Sequence, residues 1–434
     1  MESPAWARWR KLLDQALLWG LVTTIACAVL AFGATQSWST FALEGAAALL
    51  LSTWAARQAA AGAIEIPANQ LYLPMLGFAL VVLWQIVAGA TAYSYATRME
   101  LLRYVAYGIV FVVAEHTVAG KRRRGRLLFA LSLFGIAVAI LAVLQNLTSP
   151  AKIYWRFAVP GSGSIFGPYA NHGNYAGLME MLAPIPIVMW LTATTTKLRN
   201  VLLGLGGLLM SASIFLSRSR GGMLAFAVQA IFLAGYLLAR HRSKTVLLKM
   251  GAVVAVIVAA VIFLGPPDMA ASITSLRTPL NPNTSGDRLT IARDSLHMIA
   301  ARPVAGWGLD TFPVVYPHFR SFATAYFINE AHNDLLQVVV ETGFIGFALT
   351  LWFLGATYSM GFRILRRNLD PATLAALVGI TGLLAHSLTD FNMHIPANAA
   401  IFFMLCALAT TEGHHARAGE ASGRRQRAYE IPQE

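Results

Sequence analysis

Charge is what this chain has least of. Only 12% of its 434 residues are Asp, Glu, Lys or Arg, about half the share in a soluble domain, roughly 25%. Cysteine is nearly missing too. Cys27 and Cys406 sit in separate apolar runs, which excludes a disulfide framework and a thiolate metal site. There is no HExxH and no pair of aspartates in DxD spacing, so no metal is expected. No glycine-rich nucleotide loop is present, and no cofactor is implied. No zinc-finger, RRM or helix-turn-helix pattern accompanies the net charge of +13, which sets nucleic acid aside as a partner.

What the chain has in excess is apolar surface. It is 57% hydrophobic, with a mean hydropathy of +0.59, and many runs approach the 20 residues that cross a bilayer. The composition predicts an all-α polytopic membrane protein. Twelve candidate spans can be marked: 14–33, 40–56, 72–89, 101–119, 127–146, 171–193, 200–217, 221–239, 246–264, 333–358, 372–390 and 396–411. Arg8, Arg10 and Lys11 ahead of the first run give it the look of a signal peptide. No small-x-small cleavage site follows, so a retained first helix is expected.

The basic residues orient these spans. With the N-terminus inside, Arg57, the KRRRGR cluster at 121–126, Lys197 with Arg199, RHRSK at 240–244, RILRR at 363–367 and the tail arginines Arg424, Arg425 and Arg427 all fall inside. Both termini are then cytoplasmic. The outer side receives 90–100, 147–170, SRSR at 217–220, 265–332 and DFNMH at 390–394. The resulting division is spans one to nine over 1–264, an outer loop domain over 265–332, spans ten to twelve over 333–411 and a tail over 412–434. A stretch as long as 265–332 is too long for a structureless connection. Its second half, DRLTIARDSLHMIAA at 287–301, has apolar residues at helical spacing, and RPVAGWG follows it as a turn.

Polar residues concentrate at the outer boundary. In FINEAHNDLLQVVVETGFIGF (327–347) a polar segment becomes apolar, and His332 is expected in the first turn of a helix. Unpaired N–H groups there favour a neutral imidazole that can accept a proton. Asp334, Gln337 and Glu341 recur at +3 and +4, on one face that is unsuited to lipid, with Asn333 beside them. Arg218 and Arg220 in SRSRGG lie outside, against the inside bias. They read either as a phosphate clamp, guanidinium being suited to bidentate contact, or as helix-end anchors. Arg220 is favoured because Gly221 and Gly222 permit close backbone approach. Arg288 and Arg293 lie on the outer helix. His172, in FGPYANHGNYAGL, marks either a re-entrant, substrate-lining turn or a plain helix cap. Asp390 and His394 make a second outer polar pair, whereas His297, His318 and His386 have no such neighbourhood. Cationic forks, an amphipathic segment and a neutral base on one membrane face suit a lipid-linked diphosphate.

At these residues the chain resembles the O-antigen ligase/polymerase superfamily of lipid-linked glycan transferases. The resemblance rests on SRSRGG (217–222), GDRLTIARDSLHMIAARPVAGWGLDTF (286–312) and EAHNDLLQVVVETGFIGF (330–347), within residues 160–360. It implies a fold similar to the C-type glycosyltransferase class, with a periplasmic helical loop domain beside a lipid-open cavity. It implies that His332 is the catalytic base and that Arg220 and Arg288 contact the diphosphate, with Arg218 also fitting the cationic role. Asp334, Glu330 and Asp390 stay open as the carboxylate supporting the base. The reaction implied is metal-independent and inverting. The donor is an undecaprenyl-diphosphate-linked glycan in the bacterial inner membrane, and the acceptor a lipid A–core sugar. Polymerisation onto a second lipid-linked repeat is the next reading, and protein O-oligosaccharyl transfer is disfavoured by the short tail. A transporter would place its charges near mid-span, whereas most here lie at the outer boundary, with Glu341 the main exception.

Overall fold

The computed structural model describes residues 4–64, 66–159, 164–192, 196–240, 251, 287–324 and 327–412. The apolar runs form α1 (Pro4–Leu30), α2 (Ser37–Ala61), α3 (Tyr72–Val87), α4 (Ser94–Val118) and α5 (Lys121–Thr148). A two-stranded hairpin, β1 (Lys152–Ile153) with β2 (Phe157–Ala158), follows α5. Then come α6 (His172–Leu182), α7 (Pro184–Thr192), α8 (Lys197–Leu216) and α9 (Arg220–Arg240). The remaining helices are α10 (Asp287–Ala301), α11 (Asp334–Arg367), α12 (Pro371–His386) and α13 (Pro396–Thr410). The helix expected over 287–301 is α10. The expected ninth span, 246–264, and the Pro/Asn/Ser-rich start of the outer segment lie outside the described residues, as does the tail beyond 412.

Seven helical segments among the described residues are long and apolar enough to cross a membrane, and α3, α12 and α13 are shorter apolar helices. The short ones are central. Every residue of α13 is buried, so its partners on all sides are helices. Its run of alanines, Ala397, Ala399, Ala400, Ala407 and Ala409, lets neighbouring backbones come close where lipid offers no hydrophobic drive of its own. At 1.5 Å per residue a helix of 15 residues spans only about 23 Å. Length is a weaker requirement for a helix that protein, not lipid, surrounds.

Local chemistry fixes the helix ends. Proline opens α12 and α13, where its missing N–H costs nothing, and the Asp370 side chain caps α12 by accepting from Thr373 N at 2.9 Å. The prolines at 184 and 186 separate α6 from α7.

Contacts sort the connections into two ends. At one, Asp14 pairs with Arg57 and Arg123, and Asn69 donates to Glu115 and Thr410. Arg124 reaches Asp370 there too. At the other end, Ala92 N donates to Trp307 O at 2.7 Å and Asp334 N to Ser387 O at 2.9 Å. The first is the basic end, the second the site end.

Candidate functional site

The site end is assembled around one short turn, residues 387–395 between α12 and α13. Its carbonyls and side chains meet nearly every element that carries a candidate residue. Arg288 of α10 donates to Thr389 O at 2.9 Å. Asn333 donates to Leu388 O at 3.1 Å. Asp334 accepts from His394 Nδ1 at 2.9 Å and from Met393 N at 3.2 Å.

His332 sits against this turn. Its Nδ1 is 3.8 Å from Asp390 Oδ1, beyond hydrogen-bond distance, and the ring lies edge-on to Phe391 with centroids 5.1 Å apart. That nitrogen is buried and has no hydrogen-bond partner. The residue is not in the first helical turn, as the sequence suggested. Asn333 is the N-cap of α11, its side chain accepting from Leu336 N at 3.0 Å, and His332 stands one residue ahead. Its backbone is left-handed, φ +52°, a conformation that costs a non-glycine residue about 1 kcal/mol or more. This geometry turns the ring away from the helix axis and toward Asp390. Burial alone would raise the Asp390 carboxyl, but His332, His386 and Arg288 around it hold it below the usual carboxylate range.

Asp390 and His394 do not form a pair with each other. Asp390 faces His332 and His386, whereas His394 faces Asp334 at 2.9 Å and Glu330 at 3.7 Å. Burial would lower the His394 imidazole, yet Glu330, Asp334 and Glu341 together raise it well above the ordinary histidine value.

The polar stripe of α11 is real and buried: Asp334, Gln337 and Glu341 are 3%, 1% and 2% exposed. Its deeper part holds a loop. Gln337 donates to Glu330 at 2.6 Å and to Glu341 at 3.1 Å. Glu341 accepts from the backbone N–H of Asp310 at 2.9 Å and of Phe312 at 3.3 Å. The helix itself is broken here, at Gly343 (φ +64°, ψ −171°), a region open only to glycine. The RPVAGWG turn fills the break. Trp307 N and Gly308 N donate to Val340 O and Glu341 O at 3.0 and 2.9 Å. In return Phe344 N and Ile345 N donate to Pro303 O and Val304 O at 2.8 and 3.3 Å. A side chain at Gly306 or Gly343 would strike the opposing backbone. The two glycine-containing patterns read from the sequence are the two halves of this joint.

SRSRGG is built on alternation. Ser217 and Ser219 are buried, while Arg218 and Arg220 are exposed. Ser219 caps α9 by accepting from Gly222 N at 3.1 Å, and Arg218 takes a left-handed φ of +63°. Close approach at the glycines does occur, but toward protein. A Cβ on Gly221 would lie 2.6 Å from His386 Cδ2, and one on Gly222 2.7 Å from the Ala176 Cβ. His172 opens α6 behind an Asn171 cap and donates from Nδ1 to Ser217 O at 2.7 Å, tying α6 to the arginine turn. The stretch does hold a helix cap, supplied by Asn171 with His172 next to it. Arg293 is exposed on α10, about 140° around the helix from Arg288, and among the described residues it contacts none of the other candidates.

Sequence reasoning missed Glu180 and set aside His386 for want of a polar neighbourhood. His386 Nδ1 donates to Glu180 Oε1 at 2.9 Å, with side chains 1% and 0% exposed, and its Nε2 is 3.7 Å from Asp390 Oδ2. Removing one member of such a buried pair costs about 3–5 kcal/mol. Two signals pointed to them: an acid alone in an apolar run, and the i, i+4 spacing of His386 to Asp390.

Below the polar cluster lies an apolar cavity of about 490 Å³ among α3, α4, α11, α12 and α13. Asp334 and His394 line one end of it, and Tyr72, Leu349 and Phe403 the rest. A bundle of membrane-length helices with a polar cluster beside an apolar cavity is the architecture of a multi-pass membrane protein. Residues 205–351 match the family model described as O-antigen ligase. That stretch carries the signature of the O-antigen ligase/polymerase superfamily, whose members are glycosyltransferase-like enzymes. No curated protein matches the chain.

Proposed function

We propose that this protein is an O-antigen ligase of the bacterial inner membrane. It moves a glycan from undecaprenyl diphosphate to a sugar hydroxyl of lipid A–core on the periplasmic face, which is the site end. The observation that carries the reading is His332 set against Asp390, with Arg288 anchored on the same turn; an apolar cavity reaches the neighbouring Asp334 and His394 of that cluster.

With Nδ1 turned toward Asp390, Nε2 of His332 is the nitrogen left for the acceptor hydroxyl. It takes that proton as the acceptor oxygen attacks the anomeric carbon from the face opposite the diphosphate, inverting the configuration. The C–O bond to the diphosphate breaks, undecaprenyl diphosphate departs, and Asp390 stabilises the imidazolium that results. Arg220 and Arg288, with Arg218 beside them, offset the growing charge on the leaving diphosphate. The isoprenoid tail lies in the apolar cavity. No step needs a metal, so added chelator is expected to leave the rate of transfer unchanged.

Purified protein given undecaprenyl-diphosphate glycan and lipid A–core tests this. Glycan on lipid A–core is the expected product. Longer lipid-linked chains formed from donor alone would make the protein a polymerase. No turnover by well-folded protein would overturn both readings and return attention to a protein acceptor or to transport.

A further inference from the structure

The structure leads from the candidate base into the core of the bundle by alternating carboxylates and imidazoles. We infer that Glu180 and His386 are positioning residues: they fix Asp390, and through it His332, and seat the arginine turn on the same imidazole. The inference rests on the ligase reading above, and on His332 as its base.

Three distances carry it. Glu180 Oε1 is 2.9 Å from His386 Nδ1, His386 Nε2 is 3.7 Å from Asp390 Oδ2, and Asp390 Oδ1 is 3.8 Å from His332 Nδ1. The innermost link is a formed hydrogen bond between two fully buried groups, and such a bond fixes the ring plane of His386. The ring in turn presents Nε2 to the oxygen of Asp390 that faces away from His332. Each carboxylate oxygen thus faces one histidine at ion-pair distance, so the carboxylate plane is set by both rings. Orientation of a working histidine by a carboxylate, itself held from behind, is a general device.

The same imidazole also touches the arginine turn. Ser219 Oγ, the cap of α9, is 3.4 Å from His386 Nε2. Gly221 packs on the ring closely enough that a Cβ would lie 2.7 Å from Nε2. Arg220 lies between these two residues, so the ring that orients the base also fixes the backbone beneath the arginine. Other charged groups around His386 are Asp334 of α11 and His172 of α6. Glu180, His386 and Asp390 all lie outside the stretch that matches the family model.

The experiment uses full-length protein in nanodiscs, with the donor and acceptor above, and determines kcat and KM separately for Glu180→Gln, His386→Gln, His386→Asn and His386→Leu. A positioning role predicts a kcat about tenfold lower in Glu180→Gln, within the range for loss of an orienting partner, and a KM changed less than about twofold. Glutamine at 386 carries its amide near the Nε2 position, toward Asp390, and asparagine near Nδ1, toward Glu180. His386→Gln should therefore retain more activity than His386→Asn. Glu180→Gln combined with Asp390→Asn should be no slower than Asp390→Asn alone, because the effect passes through Asp390.

A purely structural pair would give less folded protein with normal kcat per folded molecule, or equal losses for Gln, Asn and Leu. Either result overturns the inference. If His386→Leu does not fold, the two amide variants and the double variant decide. His332→Ala separates the two levels of argument. Turnover by that variant overturns the base assignment itself. An inactive His332→Ala beside a normal Glu180→Gln overturns only the positioning role.

Discussion

The two ends of the bundle spend their arginines differently. At the basic end Arg124 is 3% exposed, and its terminal nitrogens donate to Asp370, Thr373 Oγ1, Leu408 O and Thr411 O. One guanidinium there clasps the ends of α5, α12 and α13. At the site end Arg218, Arg220 and Arg288 are exposed, and the buried carboxylates are matched with histidines. A guanidinium whose donors are consumed by backbone holds a fold together. One exposed beside a buried carboxylate and imidazole cluster is placed where an anionic group could meet it.

The sharpest way to break this contrast is at the base. His332→Ala is expected to cut glycan transfer about 10³-fold, within the range for a general base, with unchanged folding and donor binding, as measured by turnover of purified protein. Arg220→Ala and Arg288→Ala come next. A loss of about 10- to 100-fold in kcat/KM is expected for each, with poor rescue by lysine, which lacks the planar fork. Full rescue by lysine would reduce these arginines to point charges.

Arg124→Met sharpens the comparison from the other end. It should lower stability by about 2–3 kcal/mol, less than a fully buried pair because Asp370 is 26% exposed, and leave turnover per folded molecule unchanged. Thermal unfolding in detergent beside a transfer assay reads both. The smallest effect is on pH. The imidazole of His394 is raised in the folded state, so its contribution is complete below the unfolded histidine value of about 6.5 and is lost as pH rises through the folded one. Wild-type unfolding temperature should therefore fall with rising pH in the alkaline range, more steeply than that of His394→Gln.

Much of this was legible in the chain. Apolar runs gave the helices because lipid-facing length is a composition signal. The polar stripe of α11 and the paired glycine patterns were visible because each is local. The stretch 390–394 was read as a short outer turn with a polar pair, Asp390 and His394, and not as the part around which the candidate residues gather. Its partners come from α6, α9, α10 and α11, and Glu180 is 206 residues from His386. Pairings at that separation leave no periodicity to read. The position of His332 was misjudged by one residue, because cap geometry is decided by which side chain reaches the free amides, and Asn333 does so first.

The joint between the broken helix and the RPVAGWG turn limits how substrates can arrive. Raising that turn would break five backbone hydrogen bonds, four to α11 and one from Ala92 N, about 5 kcal/mol at ~1 kcal/mol each, leaving roughly two molecules in ten thousand open. The turn is a fixed wall, not a door. On the ligase reading, a donor held by a membrane-bound tail would have to reach the site by a path that leaves this turn in place, and that path would set the physical limit on what the protein accepts.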